Sequence, residues 1–552
     1  MNILPLKQGG VSSMKMWKKG IGVALAVGMV TGLNIPVLAE EVEVAPTKSS
    51  KIANLEASLV EQGIHKEYID HFVLVHTNDS HTKVEEGKYD GMGMAKVSGY
   101  VNLLEKVYGE EDILLLDGGD TLHGIPLITT TEGEAMTKIM DIMEYDAMVA
   151  GNHDFNYGYE RLIELDDLMT TPILSANVTK DGENILDSYI IKDVDGKKVG
   201  IFGLSTPSTT TKTHPNNVKG LVFEDTIEAA KAMVKELKTQ EVDVIIALAH
   251  LGLDEDSLPT SEDVAEAVEG IDIIVDGHSH TSLPKGKYVG ETLIVQAGEY
   301  TKNIGQVHVF FKEDGTIDVV PFHVTKEEAA AITPDTAVTE VIEGIKVGFE
   351  ALTAEVVGET TVKLDGEREI VRCKESNLGN LVTNAILEIT GADVAFTNGG
   401  GLRASIDAGE ITKKDVITVL PFGNTTVMIE VTGQEIKDAL EIGVAKYPET
   451  NGAFPQVAGM SYTFDANLPE GSRVTEVLVG GQAIDLAKTY TLGTNDFLAA
   501  GGDGYTLFED NKIAGEFQAL DEVVIQYLQE KGTANTEVQG RITIIEAVEE
   551  VQ

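Results

Sequence analysis

The stretch ILLLDGGD, residues 113–120, is a short apolar run that leads into two aspartates and two glycines. A run of four apolar residues bounded by turn-forming residues is typical of a buried strand. In an open α/β sheet, ligands bind outside the carboxyl ends of the strands. The stretch therefore predicts a buried strand that delivers acidic side chains to a binding site.

The same arrangement occurs at four other places in the chain. FVLV (72–75) leads into NDSH (78–81), AMVA (147–150) into GNHD (151–154), the run 244–249 into His250, and IDIIV (271–275) into DGHSH (276–280). The ends of five successive strands that all deliver metal-ligating residue types predict a metal site. The candidate ligands are Asp79, His81, Asp120, Asn152, His250, His278 and His280.

These seven side chains indicate two transition-metal ions. Asp79 and His81 are two residues apart and can share a cation, and Asp120 has two oxygens with which to bridge two cations. Mixed nitrogen and oxygen ligation suits zinc, manganese, iron or cobalt better than calcium or magnesium. Two such ions about 3.5–4 Å apart activate a bridging hydroxide and clamp a phosphorus centre during in-line displacement. His153, beside Asn152, is a candidate proton donor or stabiliser of phosphoryl charge.

Strands and helices alternate over roughly residues 72–324, which predicts an α/β domain. Asp225 is placed to cap a helix that carries Ile227, Ala230, Val234 and Leu237, and a buried strand follows at 242–249. Such alternation is typical of parallel strands, and a sandwich of two sheets also fits it.

The length of 552 residues predicts at least two domains. We expect a catalytic domain at 67–332, a linker helix and hinge at 333–352, and a second, α+β domain at 353–546. The second domain contains one clear amphipathic helix, which runs from about Leu378 to Ile389 and is stopped by Gly391.

The N-terminus has the features of an export signal, predicted at residues 1–39. Lys15, Lys18 and Lys19 precede an apolar core at 21–30, and VLA at 37–39 provides a small-residue cleavage site. Residues 40–66 are expected to be a flexible segment. The C-terminal residues 545–552 show no apolar tail, so we expect a secreted or surface-associated protein without a stable membrane anchor.

The formal charge of −48 argues against a nucleic-acid polymer or an anionic membrane as partner. A phosphorylated small molecule would need local positive charge from metal ions and a few arginines. The second domain contains such arginines among aromatic, acidic and amide side chains. Together they have the parts of a nucleotide pocket, with ring faces for a base, an acid for ribose hydroxyls and cations for phosphate. These candidates are Arg372, Asn398, Arg403, Phe422, Phe497 and Asp503.

The ordered blocks HTNDSH, LLDGGDTLHG, AGNHDFNYG, LAHLG and DGHSHT resemble the metallophosphoesterases of the bacterial and animal 5'-nucleotidase family. The resemblance covers nearly all of the chain after the signal. It implies a four-layer α/β/β/α sandwich followed by an α+β substrate-binding domain. It also assigns one metal to Asp79, His81, Asp120 and His280, with Asp120 shared, and the other to Asn152, His250 and His278.

The same resemblance makes His153 the catalytic histidine and Phe422 and Phe497 the rings around the base. It places Asp503 at the ribose, Arg372 and Arg403 at the phosphate or ribose, and Asn398 at the base or ribose. The expected function is a secreted nucleotide phosphohydrolase that releases phosphate from 5'-nucleotides.

One position departs from the family pattern. Many members carry an aspartate three residues after the catalytic histidine, and this chain has Asn156 there. An amide positions the ring without stabilising an imidazolium by charge, so Asp154 is a second candidate for that role. Asn156 and the GHSH motif also resemble the related 2',3'-cyclic-nucleotide phosphodiesterases, whereas FLAAGGDGY (497–505) resembles the 5'-nucleotidases. A cyclic phosphodiesterase with 3'-nucleotidase activity, a bifunctional enzyme and an inactive surface-binding protein therefore stay open.

Overall fold

The computed structural model describes residues 68–87, 90–213, 216–254, 258–534 and 537–546. The predicted signal (1–39) and the predicted flexible segment (40–66) lie outside these residues. No helix in the described ranges combines the length and apolarity needed to cross a bilayer.

Strands and helices alternate through the first half of the described chain. The strands are β1 (Asp70–Thr77), β2 (Ile113–Asp117), β3 (Ala147–Val149), β4 (Ile173–Leu174), β5 (Val178–Lys180), β6 (Glu183–Asn184), β7 (Tyr189–Val194), β8 (Lys197–Ser205), β9 (Leu221–Phe223), β10 (Val244–His250), β11 (Ile273–Val275), β12 (Lys287–Val289), β13 (Thr292–Val295), β14 (Asn303–Phe311) and β15 (Ile317–Thr325). The helices are α1 (Met94–Tyr108), α2 (Pro126–Thr129), α3 (Glu134–Met143), α4 (Tyr159–Leu168), α5 (Thr209–Lys212), α6 (Thr226–Thr239) and α7 (Ser261–Ala267).

Most of these strands form two six-stranded sheets. One has the order β15-β14-β1-β2-β3-β4 and the other β12-β13-β11-β10-β8-β7. Their inner faces pack together in one buried core, which includes Phe72 and Leu114 from the first sheet and Ile246 and Ile273 from the second. Helices α6 and α7 pack on the outer face of the second sheet, and α1 packs on β2 of the first. The expected four-layer sandwich is confirmed, and of the two sheet arrangements that the alternation allowed, the sandwich is the one observed.

The sequence pattern predicted several element boundaries correctly. Asp225 caps α6 by accepting a hydrogen bond from the backbone N–H of Glu228. The five ligand-bearing strands are β1, β2, β3, β10 and β11, so they are not consecutive as the pattern suggested. Six strands lie between β3 and β10, and four of them have only two or three residues.

The second half begins with a long helix and continues as mixed α and β structure. The helices are α8 (Thr336–Leu352), α9 (Arg368–Val371), α10 (Asn377–Thr390), α11 (Lys413–Val419), α12 (Gly433–Val444), α13 (Asp496–Ala499) and α14 (Leu520–Lys531). The strands are β16 (Val356–Thr360), β17 (Val394–Asn398), β18 (Gly409–Thr412), β19 (Thr425–Thr432), β20 (Pro455–Ala458), β21 (Met460–Asp465), β22 (Val474–Val479), β23 (Gln482–Ala483), β24 (Thr489–Asn495), β25 (Ile513–Ala519) and β26 (Ile542–Ile545).

A five-stranded sheet of order β20-β17-β24-β19-β25 is the centre of this half. Helices α10 and α14 contribute to the core on one side of the sheet, and α12 with the β21–β22 pair contributes to the core on the other. The predicted amphipathic helix is α10, and Gly391 ends it in the left-handed conformation at φ 63°. Helices α12 and α14 were not predicted.

Candidate metal centre and nucleotide pocket

The carboxyl ends of the five ligand-bearing strands meet at one edge of the sandwich. β1, β2 and β3 are parallel neighbours in the first sheet, and β10 and β11 are parallel neighbours in the second. The loops that leave the two sheets come very close to each other at Gly277. A Cβ there would lie 2.5 Å from the carbonyl oxygen of Gly118. Any larger residue at position 277 would push the two halves of the site apart.

Asp79, His81 and His280 form the first group of candidate ligands. Their ligand atoms all lie within 4.8 Å of one another. His81 Nε2 is 3.2 Å from His280 Nε2, and His280 Nε2 is 3.5 Å from Asp79 Oδ1. Two imidazole nitrogens and a carboxylate oxygen that converge in this way suit a transition-metal ion.

Asp120, His250 and His278 form the second group. His250 Nε2 lies 3.1 Å from Asp120 Oδ2, and Asn152 Oδ1 lies 2.7 Å from His278 Nδ1. Asp120 also belongs to a third group, with His81 and His153. The structure therefore brings all seven predicted ligands together, and Asp120 has the intermediate position that a bridging carboxylate needs.

The donor atoms of His250 fit a metal ion. Its Nδ1 lies 2.6 Å from the carbonyl oxygen of Gly118, which fixes the proton on Nδ1 and leaves Nε2 as the free lone pair. Nε2 is fully buried and lies 3.1 Å from Asp120 Oδ2 without a hydrogen bond of good geometry to it. A buried nitrogen without a partner is costly, and a cation at Nε2 would remove that cost.

A carboxylate orients the ring of His280 from the far side. Glu299 Oε2 lies 2.8 Å from His280 Nδ1. Burial opposes ionisation of Glu299, but hydrogen bonds from His280 and Lys302 lower its pKa to about 2. A carboxylate–histidine pair of this kind holds the ring so that Nε2 points to a metal.

Backbone strain is concentrated at this site. Asp79, His81, Asp120, His278 and His280 have φ values between 42° and 75°, a region that non-glycine residues rarely adopt. Five of the seven candidate ligands are thus held in strained conformations. Strain of this kind persists where surrounding structure over-determines it, and it is common at functional sites.

His153 lies against the ligand groups. Its backbone N–H donates to Asp120 Oδ1 at 2.7 Å, and its ring centroid is 5.0 Å from that of His81. The side-chain amide nitrogen of Asn156 lies 3.1 Å from His153 Nδ1. Asn156 Oδ1 accepts a hydrogen bond from the hydroxyl of Thr213 at 2.8 Å, an arrangement in which the amide nitrogen faces the imidazole.

Asp154 was a candidate to stabilise His153 by charge, but the structure places its carboxylate elsewhere. Its two oxygens accept hydrogen bonds from the backbone N–H groups of Asp120, Thr121, Leu122 and Gly151. Burial, followed by the charge of Asp120, raises the pKa of Asp154 to about 6. These contacts hold the loop that presents Asp120, and none of them reaches the His153 ring.

Besides Glu299, three residues at this site were missed by sequence reasoning. His123 is buried and its Nδ1 lies 3.2 Å from the same Asn156 amide nitrogen. Lys212 and Glu516 line the metal cavity, which has a volume of about 380 Å³. His123 lies inside the LLDGGDTLHG block and was detectable there. Lys212 and Glu516 come from distant parts of the chain and carry no local signal.

The predicted nucleotide-binding residues also come together. All six line one cavity of about 300 Å³: Arg372, Asn398, Arg403, Phe422, Phe497 and Asp503. Phe422 and Phe497 are 50% and 45% exposed, so two ring faces are available to a ligand. The amide of Asn398 donates to Asp503 Oδ2 at 2.7 Å, which positions that carboxylate.

The arginines make this cavity locally positive in a strongly acidic protein. Burial and then the charges of Arg368 and Arg403 lower the pKa of Arg372. The guanidinium of Arg403 lies 5.6 Å from the ring centroid of Phe422. Phe422 and Asn424 line both the metal cavity and the nucleotide cavity, so the two cavities are adjacent.

Comparison with known proteins agrees with this geometry. The model of the calcineurin-like phosphoesterase family matches residues 72–282, and the model of the 5'-nucleotidase C-terminal domain matches residues 356–510. A 5'-nucleotidase of Vibrio vulnificus is 34% identical over 477 residues, which is 78% of this chain and 85% of that protein.

Two further similarities concern larger or structurally known proteins. The trifunctional nucleotide phosphoesterase protein YfkN of Bacillus subtilis is 36% identical over 527 residues, or 85% of this chain, which spans only 34% of that protein's length. The structure of the NAD nucleotidase of Haemophilus influenzae has a TM-score of 0.71 at 25% identity and covers 87% of this chain and all of that chain.

Proposed function

Because this chain belongs to the 5'-nucleotidase family of metallophosphoesterases, we propose that it hydrolyses 5'-nucleotides to nucleoside and phosphate. The observation that supports this most strongly is that two sites lie side by side. Two groups of metal-ligating side chains share Asp120, and the cavity that they line adjoins a cavity with paired aromatic faces, an acid and arginines.

We assign the metal ions to the seven clustered residues. Asp79, His81 and His280 would hold one ion, Asn152, His250 and His278 the other, and Asp120 both. The ions, when bound, supply an activated water nucleophile and neutralise phosphoryl charge. Zinc, manganese, cobalt and iron all suit this donor set.

The chain's own groups bind and orient the substrate. Phe422 and Phe497 would stack on the base, Asp503 would accept hydrogen bonds from the ribose, and Asn398 would contact base or ribose. Arg372 and Arg403 would bind phosphate or ribose. His153, oriented by Asn156, would donate its Nε2 proton to the departing or phosphoryl oxygen.

We assign catalysis to residues 67–332 and substrate recognition to residues 353–546, with a hinge at 333–352. Helix α8 forms most of the hinge segment, and Asp335 caps it through the backbone N–H groups of Ala337 and Val338. The arginines of the nucleotide cavity do not line the metal cavity among the described residues, and a rotation of one part against the other would bring a substrate held by them to the metal centre.

A disulfide across the two parts tests this motion. A Cβ at Gly423 would lie 3.5 Å from Ile125 Cα, so the two backbones are close enough to place a cysteine pair in a Cys373→Ser background, at the cost of strain from the φ of 66° at position 423. We expect the oxidised form to lose turnover and the reduced form of the same protein, the matched control, to regain it. Equal turnover in both forms would exclude a required rotation.

We also propose export directed by residues 1–39, on the basis of the lysines and the apolar run there. N-terminal sequencing of protein recovered from the culture medium and from the cell surface tests this. A mature N-terminus near Glu40 is the expected result, and an intact Met1 on all recovered protein would contradict it.

A panel of substrates tests the activity itself. It contains AMP, 3'-AMP, 2',3'-cyclic AMP, ATP and UDP-glucose, with and without chelator, and with added phosphatase for the cyclic substrate. We expect chelator-sensitive phosphate release with AMP. Asn156 favours a second candidate, an enzyme that also cleaves 2',3'-cyclic nucleotides, and the name of the Bacillus relative, a trifunctional nucleotide phosphoesterase, favours more than one activity. A panel without chelator-sensitive hydrolysis would leave the inactive binding protein.

A further inference from the structure

The segment formed by β25 and α14 brings two carboxylates from the second half of the chain to imidazoles of the first. Glu516 Oε2 lies 3.6 Å from His153 Nε2, and Glu522 Oε2 lies 3.5 Å from His123 Nε2. Glu516 is only 8% exposed. An acid is therefore enclosed in the metal cavity at the ring atom that faces the substrate.

The second oxygen of Glu516 binds a lysine. Glu516 Oε1 lies 2.9 Å from the Nζ of Lys212, at the end of α5, and both side chains are largely shielded from water. The carbonyl oxygen of Lys212 accepts a hydrogen bond from Asn152 Nδ2 at 3.3 Å, which ties this lysine to the candidate metal centre. The pair thus joins the two parts of the molecule beside the reaction site.

Lys212 is the cation best placed for a phosphoryl group. Among the described residues that line the metal cavity, Lys83 and Lys212 carry positive charge. Lys83 Nζ lies 3.6 Å from Asp90. Lys212 instead shares its partner with His153, so an anion that replaced the carboxylate would meet the ammonium and the imidazole together.

A carboxylate and a phosphoryl group present the same kind of acceptor oxygens to an ammonium and an imidazole N–H. Both cannot occupy this position at once. A phosphomonoester carries nearly two negative charges above its second pKa near 6, whereas a cyclic phosphodiester carries one. A dianion is attracted to Lys212 more strongly than the singly charged carboxylate of Glu516 is, whereas a monoanion has no such advantage in charge.

We propose that Glu516 is a built-in competitor for the phosphoryl position, that Lys212 is the phosphoryl-binding group it occupies, and that the pair favours dianionic phosphomonoesters over monoanionic phosphodiesters. This rests on the proposed phosphohydrolase function. It extends that function, because the pair distinguishes phosphomonoesters from phosphodiesters and contains no metal ligand or base-stacking residue.

Binding of inorganic phosphate tests the pair without turnover. Calorimetric titration of the manganese-loaded full chain should give about threefold to tenfold tighter binding in Glu516→Gln and about tenfold weaker binding in Lys212→Met. Lys212→Arg keeps the charge and should bind as the unmodified protein does. Glu509→Gln is the matched control, since Glu509 lines the same cavity and is exposed.

Hydrolysis at pH 8 tests the specificity. Glu516→Gln should raise kcat/KM for 2',3'-cyclic AMP about tenfold, and more than it does for AMP, while Glu509→Gln changes neither. Unchanged phosphate affinity in both Glu516→Gln and Lys212→Met would overturn the inference. If the unmodified enzyme hydrolyses AMP but the variants match it, only the inference fails. If it hydrolyses nothing, the proposed function fails and the phosphate titration still decides the role of the pair.

Discussion

The side-chain nitrogen of Asn156 lies 3.1 Å from His153 Nδ1 and 3.2 Å from His123 Nδ1, so one amide is positioned to donate to two imidazoles. Because Thr213 donates to the amide oxygen, the geometry favours this orientation. A ring that accepts at Nδ1 carries its proton on Nε2 when neutral. His153 can then offer a proton to a substrate oxygen without first becoming an imidazolium.

Asn156→Asp should change the pH range of the reaction. The carboxylate would accept from Nδ1–H, so Nε2 would carry a proton only in the imidazolium form. We expect kcat of the aspartate variant to fall at a lower alkaline pH than that of the unmodified enzyme. Asn156→Ala should lose about tenfold to 100-fold in kcat at every pH because the ring is no longer oriented. Superimposable kcat–pH profiles from pH 6 to 9.5 would contradict the assignment.

The site was more predictable from sequence than its surroundings. Asp79, Asp120 and His250 each follow an apolar run, and the carboxyl ends of parallel strands meet at one edge, so local pattern implies proximity. The contact of Glu516 with His153 has no such basis. It depends on how β25 packs across the first half of the chain, and no periodicity carries that information.

Removal of one ligand should reduce the metal content of the protein. We expect about two ions per chain in the unmodified protein and about one or fewer in His250→Ala, measured by elemental mass spectrometry after dialysis. His280→Ala removes a more exposed ligand and should lower the metal content in the same way. His323→Ala removes a histidine outside the candidate ligands and is the control. Equal metal content in all four proteins would exclude the assigned ligands.

Loss of either exposed ring should weaken substrate binding before it slows the chemistry. Phe422→Ala and Phe497→Ala are each expected to raise KM for AMP roughly tenfold, in line with the stacking energy of a base on an aromatic side chain. His153→Ala should instead lower kcat. Tyr288→Ala is the matched control, because Tyr288 is 55% exposed and lines neither cavity. A larger effect of the phenylalanine changes on kcat than on KM would contradict the stacking role.

Secondary structure was predictable where an element buries one clearly apolar face. Helix α10 has buried Leu378, Leu381 and Val382 on one side and a glycine at its end, so its pattern is clear. Helix α14 buries Leu520, Val523, Val524 and Leu528 at the same helical spacing, so its pattern was also present in the sequence and was overlooked. The pairing of β1 with β14 joins residues more than 200 positions apart, which no local signal specifies.

A buried histidine chain on the outer side of the first sheet should make the protein sensitive to acid. The hydroxyl of Tyr100 donates to Gln306, the Gln306 amide nitrogen lies 2.8 Å from His308 Nε2, and His308 Nδ1 lies 2.7 Å from His71 Nε2. Burial lowers the pKa of His308 to about 3, and burial followed by His323 lowers that of His76 to about 3. Both rings stay neutral in the folded protein where the unfolded chain already binds protons.

The stability that these rings contribute is fully present above pH 6.5 and is lost as pH falls from 6.5 toward 3. In that window each neutral ring should lower the free energy of unfolding by about 1.4 kcal/mol for every unit that the pH falls. Urea unfolding in the presence of chelator between pH 7.5 and 5 measures the slope, and metal-site histidines contribute equally to a variant and its parent. We expect His308→Leu to reduce the slope by up to one proton. An unchanged slope would mean that His308 is already protonated in the folded protein and that the donor from Gln306 points elsewhere.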